Sequence, residues 1–179
     1  MIPAGYMAKR ISNNPDWIKA DHVKDLFSVS GCISHEFADY ISHWKHNGYW
    51  FFDSPEVIKA LANSESISVA GTTIFYYEAY EKQYADGWSA FESEESIKTN
   101  VIEPKEKHLE GFDVVTFSGG ASPECSPLSC CALASELSTN EHCLLRTFNE
   151  AKRHLEEGKF NNSEPGPYRI FAVYSLAKP

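Results

Sequence analysis

Tyr168-Arg-Ile-Phe-Ala-Val-Tyr-Ser-Leu176 is apolar on both of its alternations: Tyr168, Ile170, Ala172 and Tyr174 on one, Phe171 and Val173 on the other. A strand that is apolar on both faces belongs inside a sheet covered on both sides. The stretch therefore predicts a central strand, and truncating the chain there would remove the middle of the fold. Just upstream, Thr147-Phe-Asn-Glu150 has the form of a capping box. It predicts a helix that turns Phe148, Ala151 and Leu155 inward and stops at Gly158, followed by a turn-rich loop from Asn161 to Pro167.

Further out, Phe112 to Phe117 reads as a strand, reached through a polar connection from Glu103 to His108. Thr72 to Gln83 is rich in aromatic and β-branched residues and predicts a long strand. Its tyrosines, Tyr76, Tyr77 and Tyr80, with Tyr84 just beyond, suit a half-buried sheet; lining a ligand surface is their competing role. Gly48 to Asp53 predicts a short buried strand, and Ser54-Pro55-Glu56 starts a helix with Val57, Ile58 and Leu61 facing in. Two more helices are expected in the first third. One runs from Asn14-Pro15 to about Phe27 on an inner face of Trp17, Ala20, Val23 and Phe27. The other starts at Ser34, buries Phe37, Tyr40, Ile41 and Trp44, and ends at Asn47-Gly48. The expected fold class is α+β, a single domain over residues 1–179 with a mixed β-sheet flanked by helices. A layered α/β arrangement is the runner-up, since helices long enough for a parallel crossover join the last strands.

Within 179 residues, 42% hydrophobic and 13% aromatic content excludes a disordered chain. With 16 basic and 25 acidic residues the net charge is −9 and no basic stripe appears, so nucleic acid is not an expected partner. The acidic stretch around Glu92, Glu94 and Glu95 offers instead a docking patch for a basic protein. The N-terminus has no apolar targeting core and no run long enough to span a bilayer; Met7 is a second candidate start. Five cysteines do not suggest a disulfide framework, and a reducing, cytoplasmic compartment is the expectation.

Four of those cysteines fall between Phe117 and Cys143, where chemistry is most readily placed. Ser126-Pro127 predicts a helix start, with Cys130, Leu133, Ala134 and Leu137 along one face to about Leu137. Cys130 and Cys131 in its first turn would have their thiolates favoured by the helix dipole. Three readings follow. Cys130 or Cys125 could be a nucleophile with His142 as its base. Cys125, Cys130 or Cys131, His142 and Cys143 could supply four ligands to zinc, although the short Cys-x2-Cys knuckle is missing. Third, the cysteines are small buried hydrophobes packing the segment against the sheet. Interior filling is the simplest of the three.

A second constellation, His35, Asp39, His43 and His46 with Cys32 upstream, has metal-ligand spacing, but it is also what the polar face of an amphipathic helix looks like. Ser118-Gly119-Gly120 could form an anion nest, with no basic residue following to hold a phosphate. Neither a phosphate-loop or dinucleotide glycine signature nor a nucleophile elbow nor a His-Glu-x-x-His motif is present. The sequence therefore leads to a non-catalytic interaction or regulatory protein. A thiol enzyme and a zinc-binding protein are the alternatives.

Overall fold

A computed structural model describes residues 1–31, 37, 49, 51–84, 100–116 and 124–176. The fold is α+β. Four long strands, β1 (Ile2–Arg10), β4 (Thr72–Tyr84), β5 (Lys107–Thr116) and β6 (Tyr168–Leu176), form one sheet in the order β1-β4-β6-β5. Two short strands, β2 (Ser12–Asn13) and β3 (Asp25–Leu26), pair beside it. Among the described residues there are three α-helices, α1 (Pro55–Ser64), α2 (Pro127–Cys130) and α3 (Phe148–Glu156), and a 3-10 turn at Leu133–Ser135.

β6 lies between β4 and β5, as its two-sided apolar pattern requires. Phe171 and Val173 enter one hydrophobic cluster with Tyr6, Phe51, Phe52, Phe75 and Tyr77, which is covered by Ile58 and Leu61 of α1. Tyr168, Ile170 and Ala172 enter the other, with Val114, Leu128, Leu145 and the α3 residues Ala151 and Leu155. Burying one such aromatic or aliphatic side chain is worth about 1.5–3 kcal/mol, so both faces hold the strand in place. All three sheet pairings are antiparallel. The parallel crossover behind the α/β alternative is therefore absent among the described residues, as is any parallel pair of a mixed sheet.

α1 and α3 start where the caps predict. Ser54 Oγ accepts from Val57 N at 3.4 Å, and Thr147 Oγ1 accepts from Glu150 N at 3.1 Å. The Glu150 carboxylate reaches back to Arg146 N, one residue before the cap. Val57 is exposed, so Ile58, Leu61 and Ala62 make the inner face of α1. β5 begins at Lys107, inside the expected polar connection. Lys107 is held there by the Glu78 carboxylate and lies over the rings of Tyr76 (4.8 Å) and Tyr174 (4.5 Å).

The N-terminal residues, for which the sequence pattern predicts no element, form edge strand β1, with a register shift between Pro3 and Gly5. Two expectations change. The helix from Asn14 to Phe27 does not form: Asn14 and Lys19 have positive φ (47° and 53°), and Asn14 N donates to Lys24 O to close the β2–β3 pair. Tertiary pairing overrides local pattern here, because Lys24 N and Asp25 N both donate to Glu141 O. Val23 is buried, whereas Trp17 is exposed. Of the predicted strand from Gly48 to Asp53 the described residues are 49 and 51–53, and among them Phe52 forms a bridge with Tyr6 at the β1 edge. The Ser34–Gly48 helix with His35, Asp39, His43 and His46, Cys32, the Glu92 stretch and the Ser118-Gly119-Gly120 loop lie outside the described residues, apart from Phe37, which is buried.

Candidate metal centre

The segment after β5 does not continue as one helix. α2 is a single turn ending at Cys130. Ala132 then takes a left-handed conformation (φ 57°), and Leu133–Ser135 forms a separate 3-10 turn. Leu133, Ala134 and Leu137 are buried as the apolar stripe predicted, but on a broken backbone. Ser126 makes no capping bond; its hydroxyl donates to Asp113 Oδ1 at 2.5 Å. With one turn of helix there is no macrodipole to favour a thiolate at Cys130 or Cys131.

Asp113 and Lys9, both buried, organise what lies beneath. Asp113 accepts from Ser28 Oγ (3.1 Å), Val29 N (2.8 Å), Val114 N (2.9 Å) and Ser126 Oγ. The Lys9 ammonium donates to the carbonyls of Ser28 (2.8 Å), Val29 (2.9 Å) and Ser30 (2.5 Å). One loop is thus gripped from both sides, by a cation on its carbonyls and an anion on an amide. Ser129 Oγ joins through Ser28 Oγ at 3.2 Å, and Trp17 Nε1 donates to Ser129 O at 3.0 Å. Burial pushes the Asp113 carboxyl above its ordinary value, against the pull of its donors. Sequence reasoning missed this hub. Lys9 and Asp113 each sit in an apolar strand pattern, and only a lone charged residue type in such a pattern of the sequence signals it.

The cysteines separate. Cys143 is buried beside the hub, its thiol pushed up by burial and then by Asp113. Interior filling describes this residue. Cys130 is half-buried, with Ser30 Oγ at 3.6 Å and Ser129 Oγ at 3.8 Å. Cys125 and Cys131 instead meet Glu164. The two Sγ atoms and a Glu164 carboxylate oxygen all lie within 4.8 Å of one another, and Cys131 Sγ lies 3.8 Å from Glu164 Oε1. Among the described residues this is the one His/Cys/Asp/Glu cluster with metal-ligand spacing.

Each member is fixed by backbone. Cys125 extends the end of β5 through Thr116 N to Cys125 O (2.8 Å) and Cys125 N to Thr116 Oγ1 (3.1 Å). Cys131 closes α2 through its N–H to Pro127 O (3.3 Å). Glu164 is held by the Tyr168 hydroxyl on its carbonyl. The Cys131 thiol is pushed up, chiefly by burial and then by the Glu164 carboxylate.

His142 belongs elsewhere. Its Nδ1 lies 2.6 Å from Asp25 Oδ1, its Nε2 3.7 Å from Glu110 Oε2, and its ring stacks on Phe27 (4.1 Å, 8°). Of the four-ligand set Cys125, Cys131, His142 and Cys143, the structure brings the first two together; Glu164 is the ligand the sequence did not offer. No protein-family model matches the chain, and no curated protein or solved structure matches it either. Among the described residues no helix is long and apolar enough to cross a membrane.

Proposed function

We propose that the protein binds a divalent cation of the zinc class through Cys125, Cys131 and Glu164. The convergence of two thiols and a carboxylate within 4.8 Å carries this reading. The electrostatics support it: three groups that are anionic when deprotonated face one another, and burial and then the Glu164 carboxylate push the Cys131 thiol up. A cation reverses that balance, deprotonating the thiols and releasing protons as it binds. Thiolate donors select zinc over magnesium or calcium, and a three-residue set leaves a coordination position for water or a ligand.

The placement of His142 weakens the nucleophile alternative. The carboxylates of Asp25 and Glu110, rather than a thiol, face the two nitrogens of His142. An interaction role through acidic surface gains no support here, because the Glu92 segment is outside the described residues. Cysteines outside any disulfide at Cys130, Cys131 and Cys143 suit a reducing, cytoplasmic setting.

Metal analysis of protein purified without chelator tests the reading. The expected result is near-stoichiometric zinc in the wild type and loss of most of it in Cys125→Ser and Cys131→Ser. Cobalt replacement should give a sulfur-to-metal charge-transfer band. Zinc that survives both substitutions, or that leaves instead with His142→Ala, contradicts the assignment.

A further inference from the structure

A recess of about 570 Å³ is lined by His22, Lys24, Ser138, Thr139, Glu141 and Arg146, with Asn140 between them. Its volume is in the range of small-molecule sites, roughly 300–1,000 Å³, although its walls are more polar than most. We infer that this recess binds a small molecule through a carboxylate group gripped by Arg146.

Charge decides the ligand class. Lys24 and Arg146 are positive and Glu141 is negative, so with His22 neutral the lining carries one positive charge in excess, on a chain of net −9. Lys24 is matched by the Glu141 carboxylate, so the excess falls on Arg146. The Arg146 guanidinium donates to the neutral Ser138 hydroxyl at 3.1 Å and meets no carboxylate among the described residues. That leaves further N–H donors of a planar fork, the geometry that takes a carboxylate in two parallel bonds. A single excess charge matches a monoanion better than a phosphate dianion, which Glu141 would also repel. Long-range steering is unfavourable on so acidic a protein, and recognition must come from contact.

The recess is built before a ligand arrives. Its two walls are tied by Lys24 N and Asp25 N donating to Glu141 O and by Phe27 N donating to His142 O. His22 Nε2 is fixed 2.9 Å from the buried Thr139 Oγ1. Sites on tied backbone lose little entropy in ordering their side chains. The inference does not rest on the metal reading, since no ligand of that site lines the recess.

Titrations of isotope-labelled protein with acetate, chloride and inorganic phosphate at equal ionic strength test it, read from amide NMR shifts. Acetate should give saturable shifts confined to residues 22–24 and 138–146, with a dissociation constant on the order of 1–10 mM, as expected for so small a ligand. Arg146→Gln should weaken it roughly tenfold or more, and Lys24→Gln, at an exposed position that leaves the fold intact, by less. Shifts equal to those of chloride, or acetate binding unchanged in Arg146→Gln, overturn the site. Phosphate binding more tightly than acetate overturns the carboxylate assignment.

Discussion

The same few residues after β5 supply two neighbouring regions with opposite character. Ser126 and Ser129 turn inward to the hub of Lys9 and Asp113, where hydrogen bonds within the protein engage both buried charges. Cys125 and Cys131 turn outward to Glu164, where the groups brought together are all potential anions. A buried polar group whose partners are supplied by the fold is scaffold: it fixes geometry, and removing it destabilises. Groups of one sign that converge near the surface call for something from outside. The contrast separates a structural centre from the proposed binding centre a few residues apart.

Substitutions sort by the same contrast. The largest stability loss should come from Lys9→Met, which leaves three buried carbonyls without their donor; about 3 kcal/mol or more is expected by chemical denaturation. A loss below about 1 kcal/mol would break the claim that the hub is scaffold. Asp113→Asn comes next, at about 1.5–3 kcal/mol, since an amide cannot accept at both of its ends.

Asp113 also predicts a pH dependence. Its carboxyl is raised in the folded protein, so its contribution to stability is present below the unfolded value and is lost as pH rises through the folded one. The stability gap between wild type and Asp113→Asn should therefore narrow as pH rises from acid through that window. A gap that widens would mean the four donors outweigh burial.

Cys143→Ser should cost about 1 kcal/mol, from a hydroxyl placed in a buried site, and leave metal content unchanged. Cys131→Ser sharpens the comparison most. In chelator its stability should stay within about 0.5 kcal/mol of wild type, as at most exposed positions, while metal binding is lost.

Much of the fold was legible because it follows from periodicity. The two-sided apolar run at Tyr168–Leu176 placed β6 at the sheet centre, Thr72 to Gln83 marked β4, and Ser54 and Thr147 marked two helix starts. What was not legible depends on pairing between distant residues. β1 is interrupted by Pro3 and Gly5, and the Asn14–Phe27 stripe has a helix period that Lys24 and Asp25 give up to pair with Glu141. Gly111 (φ 151°) lets the chain at Leu144 and Leu145 pass against β5, where a Cβ would meet both at 2.8 Å. That passage sends His142 toward Asp25 and Glu110, and no spacing rule contains it. The candidate site was half legible for the same reason: Cys125 and Cys131 are close in sequence, but Glu164 arrives from a loop more than thirty residues on.

The most direct measurement is X-ray absorption at the zinc edge on the loaded protein. The account predicts two sulfur ligands at about 2.3 Å, with the remaining shell made of light oxygen-type donors at about 2.0–2.2 Å. A shell with three or four sulfurs, with imidazole scattering, or without sulfur would contradict the Cys125–Cys131–Glu164 centre.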